Sequence, residues 1–198
     1  MCGIIAAASN RNVGKLLVQG LHKMEYRGYD SAGIALHQTD QIAHLRTLGK
    51  VKLLEEKMIA EKPKSKLGIA HTRWATHGEP SEENAHPHMS NERVYIVHNG
   101  IIENYLDLKD FLKKEGYSFS SQTDSELIAH LLEYFLNKGN NMLDSMYLTK
   151  EKLDGAYAIA AIDKEDDQNI IIARSKSPLL IGIGTVSYTH LTLPTTGV

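Results

Sequence analysis

Cys2 is the first residue of the chain whose type and position could support chemistry. It directly follows Met1, and its small side chain is of the kind that permits removal of that methionine. Removal would leave a thiol and a free α-amino group on one residue, and the amine, with a reference pKa of about 7.7 to 8.0, suits a base acting on a thiol. Most free cysteines are instead inert buried side chains, and position alone favours that interpretation.

Asn99 and Gly100 form a second candidate site. They follow an apolar run at residues 94–97, where a side-chain amide and a backbone N–H can together stabilise an oxyanion. The alternative is a two-residue hairpin turn, for which Asn-Gly is the strongest short signal. The pair alone favours the turn, although the helical spacing of apolar residues over 103–112 argues against a returning strand.

Arg73 ends an apolar run and is followed closely by Trp74, Thr76 and His77. A guanidinium binds a carboxylate through two parallel hydrogen bonds, a geometry that lysine does not offer. The indole of Trp74 is large enough to exclude water from a site beneath it. Taken alone, however, an arginine in this setting is more often a surface residue of an irregular loop.

Asp124 lies between Thr123 and Glu126, a pair that predicts a capping box at the start of a helix. In that position its carboxylate would interact favourably with the helix dipole. The functional alternative is that Asp124 binds an ammonium group of a substrate.

Several histidines, among them His71, His77, His86 and His88, raise the question of a metal site. No second cysteine, no His-Glu-x-x-His motif and no carboxylate pair at ligand spacing accompanies them. We therefore expect packed or solvated histidines, with neither a metal nor another cofactor.

Apolar periodicity predicts the elements that position these residues. Strands are predicted over 2–9, 31–37, 41–48, 67–71, 94–97, 156–162, 169–173 and 179–183. Helices are predicted around 13–24, 51–58, 105–112, 127–135 and 142–148, and a long loop over 72–91. Because the helices come in clusters between runs of strands, an antiparallel α+β arrangement is favoured over a doubly wound parallel sheet.

The combination and order of these motifs resemble a known family. The matching blocks are residues 1–4, 25–33, 71–80, 84–88, 97–104 and 123–126. Over residues 2 to about 184, the chain resembles the class II glutamine amidotransferase domains of the glutamine–fructose-6-phosphate aminotransferase (isomerizing) family. Related glutaminase domains share the N-terminal Cys-Gly and an Asn-Gly, but not the block Arg-Trp-Ala-Thr-His-Gly-Glu-Pro.

The resemblance implies a fold and a reaction. The fold is the four-layer αββα sandwich of the N-terminal nucleophile hydrolases, of the α+β class. The reaction is hydrolysis of L-glutamine to L-glutamate and ammonia through a γ-glutamyl thioester on Cys2, with an oxyanion hole formed by Asn99 and Gly100.

The same resemblance implies how glutamine is held. Arg73 would bind its α-carboxylate and Asp124 its α-ammonium group. A loop with Trp74, Thr76 and His77 would cover the substrate, and Arg27 would support the nucleophile.

The resemblance also predicts the limits of the domain. Residues 2–184 would form the glutaminase domain, whereas residues 185–198 depart from the family pattern and are expected to be a truncation scar or artefact. The sugar-isomerase domains that bind fructose 6-phosphate are expected to be missing, which would leave the chain with the ammonia-donating half of glucosamine-6-phosphate synthesis. The alternatives are a non-catalytic glutamine-binding module and an unstable fragment of that enzyme.

Composition and charge argue against several other function classes. The chain has 22 basic and 24 acidic residues, a net charge of −2 and one cysteine among 198 residues. Nucleic acid and anionic membranes are not expected partners, since both need a basic patch, and no apolar run approaches the roughly 20 residues of a membrane span. L-glutamine is the expected ligand, the expected location is cytoplasmic, and the full-length protein is expected to be a homo-oligomer.

Overall fold

Ten strands and five α-helices are present in the residues that the computed structural model describes, which are 2–74, 78–183 and 189–192. The strands are β1 (Gly3–Ala8), β2 (Ser31–His37), β3 (Ile42–Leu48), β4 (Leu67–Arg73), β5 (His88–Ser90), β6 (Val94–Ile102), β7 (Gly155–Asp163), β8 (Ile171–Ser175), β9 (Leu180–Ile183) and β10 (Thr189–Thr192). The helices are α1 (Gly14–Met24), α2 (Val51–Glu61), α3 (Tyr105–Lys114), α4 (Glu126–Asn137) and α5 (Met142–Lys152), and a short 3₁₀ helix (Glu25–Arg27) follows α1.

The strands form two antiparallel sheets. Over the described ranges, the first sheet has six strands in the order β3-β2-β4-β1-β10-β9, and the second has four in the order β5-β6-β7-β8. Successive side chains of a strand point to opposite faces, so each strand contributes to the space between the sheets and to a helical layer. This explains why the inner strands are apolar on both faces.

Hydrophobic clusters fill the spaces between the layers. Ile4, Ile69 and Val97 pack between the two sheets. Leu17 of α1 and Leu54 of α2 pack on the outer face of the first sheet, and α3, α4 and α5 cover the outer face of the second. The layers therefore run α, β, β, α, and the sandwich predicted from the sequence is confirmed.

Strand register brings the N-terminal end of β1 to the C-terminal end of β4. Gly3 of β1 pairs with Thr72 of β4, and Ser31 of β2 pairs with Arg73. Because Cys2 immediately precedes β1, the register places it beside the end of β4.

The hairpin turn considered for Asn99 and Gly100 is wrong. Both residues lie inside β6, which continues beyond the predicted strand at 94–97 and stays paired with β7 as far as Ile102. Gly100 has a φ of 134°, and a Cβ at this position would clash with the carbonyl oxygen of Ala156. Glycine is therefore required by the close approach of two strands.

Two other local predictions also differ from the structure. The N-cap of α4 is Ser125, with no side-chain cap, so the predicted capping box of Thr123 and Glu126 is wrong. The predicted loop over 72–91 contains β5, which pairs with β6. Three residues are too few to show the alternation by which a strand is recognised in a sequence.

Residues 189–192 lie in the segment 185–198 that the sequence predicts to be a truncation scar or artefact. Their backbone forms β10, which pairs with β1 on one side and with β9 on the other. The domain boundary at residue 184 stays a prediction.

Membrane spans and metal clusters are absent from the part of the chain that the structure describes. No helix there is long and apolar enough to cross a bilayer. No group of three or more His, Cys, Asp or Glu side chains there is arranged to hold a metal ion. His71, His86, His88 and His98 are all buried, whereas His77 lies outside the described residues.

Candidate active site

The Cys2 thiol lies against the backbone of Trp74. The Trp74 N–H donates to Sγ at 3.3 Å, and the thiol donates to the Trp74 carbonyl oxygen at 3.6 Å. Burial raises the pKa of the thiol above its usual value, although the Trp74 N–H and the Arg73 guanidinium act in the opposite direction. A protonated thiol is a weak nucleophile, so chemistry at Cys2 needs a base that removes its proton.

Asn99 connects the two sheets next to Cys2. Its Nδ2 donates to the Cys2 carbonyl oxygen at 3.3 Å, and its Oδ1 lies 2.9 Å from Nε2 of His71 on β4. An amide nitrogen carries two N–H donors, so the side chain has a second donor to offer a ligand beside Cys2. Gly100 follows on the same strand and is exposed to solvent.

Arg73 ends β4 with only 4% of its surface exposed. Its Nη2 donates to the Gly78 carbonyl oxygen at 3.4 Å. Burial lowers the pKa of Arg73, while its electrostatic interactions with Cys2, Asp30 and Asp124 raise it. Because an arginine side chain does not lose its proton in proteins, Arg73 places a permanent positive charge beside Cys2.

Asp124 is buried in the loop before α4. Its Oδ2 accepts a hydrogen bond from the N–H of Ile102 at 2.8 Å, and the Ser125 hydroxyl lies 3.5 Å from Oδ1. The carboxylate is therefore tied to the end of β6, the strand that carries Asn99 and Gly100, and does not occupy the first turn of the helix.

A small cavity brings the predicted residues together. Its volume is about 30 Å³, and its walls include Cys2, Arg73, Trp74, Gly100 and Asp124. A cavity needs a volume of roughly 10 to 15 Å³ to hold one water molecule. This cavity therefore holds about two water molecules and is smaller than glutamine. Trp74, which forms part of the wall, is 43% exposed. A groove of about 930 Å³ at the far end of β1 contains none of the predicted site residues.

Four predicted residues do not line this cavity in the described part of the structure. Asn99 adjoins it through its hydrogen bond to Cys2. Arg27 lies in the 3₁₀ helix, where its Nε donates to the Tyr26 hydroxyl at 2.7 Å and its guanidinium lies 5.3 Å from the centre of that ring. Thr76 and His77 lie outside the described residues. The supporting role of Arg27 and the covering roles of Thr76 and His77 stay predictions.

Sequence reasoning assigned no role at this site to Asp30 and His71. The Asp30 N–H donates to the Arg73 carbonyl oxygen at 3.0 Å, and its carboxylate influences the pKa values of both Cys2 and Arg73. His71 contacts Asn99, although the sequence raised it only as a metal ligand. The position of Asp30 inside the family block 25–33 could have indicated a role at the site. For His71 the indication was its position two residues after Ile69, which puts both side chains on the face of β4 that meets the other sheet.

Glu126 anchors the loop that carries Asp124. Its carboxylate accepts hydrogen bonds from the N–H groups of Ser120 and Ser121 at 2.9 and 2.7 Å, and His130 Nε2 lies 3.7 Å away. Burial raises the pKa of Glu126, but these contacts outweigh burial and hold the pKa well below its usual 4.5. Above pH 4.5 the ionised carboxylate therefore stabilises the folded state in full. This stabilisation is lost as the pH falls from 4.5 towards the lower pKa of the folded protein.

We expect Glu126→Gln to lower the free energy of unfolding at pH 7 by about 2 kcal/mol, because two backbone donors lose a charged acceptor. At about pH 3 the difference in unfolding free energy between variant and wild type should shrink. At that pH the Glu126 carboxyl is protonated in the unfolded chain and must release its proton when the protein folds. Urea unfolding at both pH values measures this, with the exposed Glu151→Gln as control. An equal difference at both pH values would contradict the ionised anchor.

Comparison with known proteins relates this chain to one group of enzymes. A profile of the glutamine amidotransferase domain matches residues 71–190. Over 185 residues the chain is 49% identical to the glutamine–fructose-6-phosphate aminotransferase (isomerizing) of Vibrio parahaemolyticus and 51% identical to that of Haemophilus ducreyi. Each alignment covers 93% of this chain but 30% of the relative, so the chain spans less than a third of the length of these relatives.

Solved structures share the fold. Glutamine phosphoribosylpyrophosphate amidotransferase from B. subtilis has a TM-score of 0.81 at 26% identity, over 96% of this chain and 41% of that chain. An allosteric regulatory enzyme of purine biosynthesis has a TM-score of 0.83 at 27% identity, over 96% and 42% of the two chains. Both similarities extend over nearly the whole of this chain.

Proposed function

Because the chain belongs to the glutamine amidotransferase domain family, we propose that it hydrolyses L-glutamine to L-glutamate and ammonia. The observation that supports this most directly is the cavity shared by Cys2, Arg73, Gly100 and Asp124. It combines a thiol, a backbone N–H, a cation and a carboxylate, which are the groups that an amide hydrolase acting on an amino acid needs. Identity near 50% to named aminotransferases does not favour a non-catalytic binding module.

The first half of the reaction takes place at Cys2 once Met1 has been removed. The free α-amino group accepts the thiol proton as Sγ attacks the side-chain carbonyl carbon of glutamine. The oxyanion that forms accepts hydrogen bonds from Asn99 Nδ2 and the Gly100 N–H. When the carbon–nitrogen bond breaks, the ammonium group returns its proton to the leaving nitrogen, and ammonia departs from a γ-glutamyl thioester.

Water completes the reaction. The same amino group accepts a proton from the water that attacks the thioester carbonyl, and the carbon–sulfur bond breaks. The proton then passes to the Cys2 thiolate, and glutamate is released.

Recognition of glutamine depends on the two opposite charges of the cavity wall. The Arg73 guanidinium pairs with the α-carboxylate, and Asp124, through the oxygen that does not bind Ile102, pairs with the α-ammonium group. Trp74, Thr76 and His77 cover the bound substrate, and Arg27 supports the nucleophile from the 3₁₀ helix.

An assay of glutamate and ammonia release with two charge variants tests this assignment. Arg73→Lys keeps the charge but loses the two-pronged geometry, and Asp124→Asn loses the charge, so we expect each to raise KM for glutamine by about 10- to 100-fold. Both should leave kcat within a few-fold of wild type.

The chain offers matched controls in a second arginine–aspartate pair. Arg93 Nε lies 3.2 Å from Asp163 Oδ1 at the other end of β6 and β7, and Arg93→Lys and Asp163→Asn should leave KM unchanged. If Arg73→Lys and Asp124→Asn bind glutamine normally and lose only kcat, the recognition roles are wrong.

We further propose that the ammonia serves the amination of fructose 6-phosphate, as the names of the relatives indicate. In this proposal residues 2–184 are the glutaminase domain of a longer, homo-oligomeric cytoplasmic enzyme. The near-zero net charge and the absence of a membrane-spanning helix in the described ranges are compatible with it.

A further inference from the structure

The side-chain amide of Asn99 can donate a hydrogen bond to the oxyanion in only one of its two orientations. Its nitrogen donates hydrogen bonds, whereas its oxygen only accepts them. A flipped amide would present an oxygen to the developing negative charge and repel it. What holds the amide in the productive orientation is therefore a question about catalysis, and it rests on the proposed function.

The carbonyl oxygen of His98 decides which nitrogen of His71 carries the proton. His71 Nε2 lies 3.1 Å from that oxygen. A carbonyl oxygen accepts hydrogen bonds only, so Nε2 must be a donor. This conclusion does not depend on how the Asn99 amide is oriented.

The same Nε2 also contacts Asn99. It lies 2.9 Å from the side-chain atom of Asn99 that faces β4, and because Nε2 is a donor, that atom has to be the acceptor Oδ1. The nitrogen Nδ2 then has to face the other way, where it donates to the Cys2 carbonyl oxygen at 3.3 Å. One N–H is used there, and the same nitrogen carries a second N–H donor next to Cys2.

The His71 ring is itself held firmly. It is 1% exposed, and it stacks on the His86 ring with 4.1 Å between the ring centres and 28° between the planes. Burial lowers the pKa of His71 to about 3, so the ring is neutral at physiological pH and carries a single N–H. Since Nε2 holds that proton, the direction of the hydrogen bond does not change with pH in the working range.

We propose that His71 is a positioning residue for the oxyanion hole: its Nε2–H, oriented by the His98 carbonyl oxygen, holds the Asn99 amide with Nδ2 directed towards Cys2. His71 touches neither substrate nor nucleophile in this role. It acts through Asn99, and it removes the cost of orienting the amide during the reaction, which is the contribution that a preorganised donor makes to catalysis.

A pair of variants of similar length separates the hydrogen bond from the packing. In His71→Gln the side-chain amide places an N–H near the position of Nε2, and in His71→Met no N–H is present. We expect His71→Met to lower kcat about tenfold with KM for glutamine unchanged, and His71→Gln to retain kcat within about threefold. The same substitutions at His37, whose Nε2 contacts the Lys164 carbonyl oxygen, should not change kcat.

A double-mutant cycle with Asn99→Ala tests whether His71 acts through Asn99. Asn99→Ala should lower kcat by about 10²-fold or more, and His71→Met should then have no further effect. Wild-type kcat in His71→Met, or full additivity of the two losses, would overturn the positioning role while leaving the proposed function intact. Wild-type kcat in Asn99→Ala would overturn both the oxyanion role and the positioning role.

Nitrogen NMR of the wild-type protein tests the proposal even where a His71 variant fails to fold. The ¹⁵N shifts of His71 should report a neutral ring with the proton on Nε2, unchanged across about pH 5 to 8. A proton on Nδ1, or a titration within that range, would overturn it.

Discussion

Cys2→Ala will abolish glutamine hydrolysis and leave the protein folded. No other side chain in the cavity wall carries a thiol, and loss of a nucleophile of this kind costs at least about 10⁴-fold in kcat. The substitution removes the hydrogen bonds between Sγ and the Trp74 backbone at 3.3 and 3.6 Å, so the free energy of unfolding should change by no more than about 1 to 2 kcal/mol. Activity assays and thermal unfolding of a mass-verified protein measure both quantities.

Glutamine should still bind to this variant, because Arg73 and Asp124 keep their positions. Calorimetry of glutamine binding to Cys2→Ala therefore separates loss of chemistry from loss of the site. Cys2→Ser is the matched control, since it also permits removal of Met1 and keeps a weaker nucleophile in place. Hydrolysis at the wild-type rate by Cys2→Ala would rule out Cys2 as the nucleophile.

A protein that keeps Met1, or carries an N-terminal tag, will be folded but inactive. Its Cys2 nitrogen is part of an amide, which has no lone pair available to accept a proton. Because burial raises the pKa of the Cys2 thiol, the thiol needs a base to remove its proton at pH 7. Loss of that base should lower kcat by at least about 10²-fold.

A removable N-terminal tag allows the activity with a blocked and with a free Cys2 amino group to be measured on a single preparation. Cleavage that leaves Cys2 as the first residue should restore ammonia release, whereas the same cleavage of tagged Cys2→Ala should restore none. Melting temperatures before and after cleavage verify that the fold is unchanged. Full activity of the uncleaved protein would instead indicate that a base other than the α-amino group deprotonates Cys2.

The sequence alone determined the elements and the residue types of the site. Periodicity located the five α-helices and every described strand except β5 and β10, because each of these elements buries a continuous apolar face that repeats with its own period. The order of Cys2, Arg73, Asn99-Gly100 and Asp124 among specific motifs indicated the family. These features are local in the sequence, and local features do not depend on how the sheets pack.

Only the tertiary structure decided how those residues meet. Asn-Gly favours a turn by its own conformational preference, yet pairing along the whole of β6 keeps it extended. Glu126 suits a cap, but two N–H groups from its own preceding loop bind its carboxylate instead. Cys2 is hydrogen-bonded to Trp74, which is 72 positions away in the sequence, and to Asn99, which is 97 positions away. Such contacts depend on strand register and on the packing of two sheets, which involve residues remote in the chain and therefore have no signature in any short stretch of it.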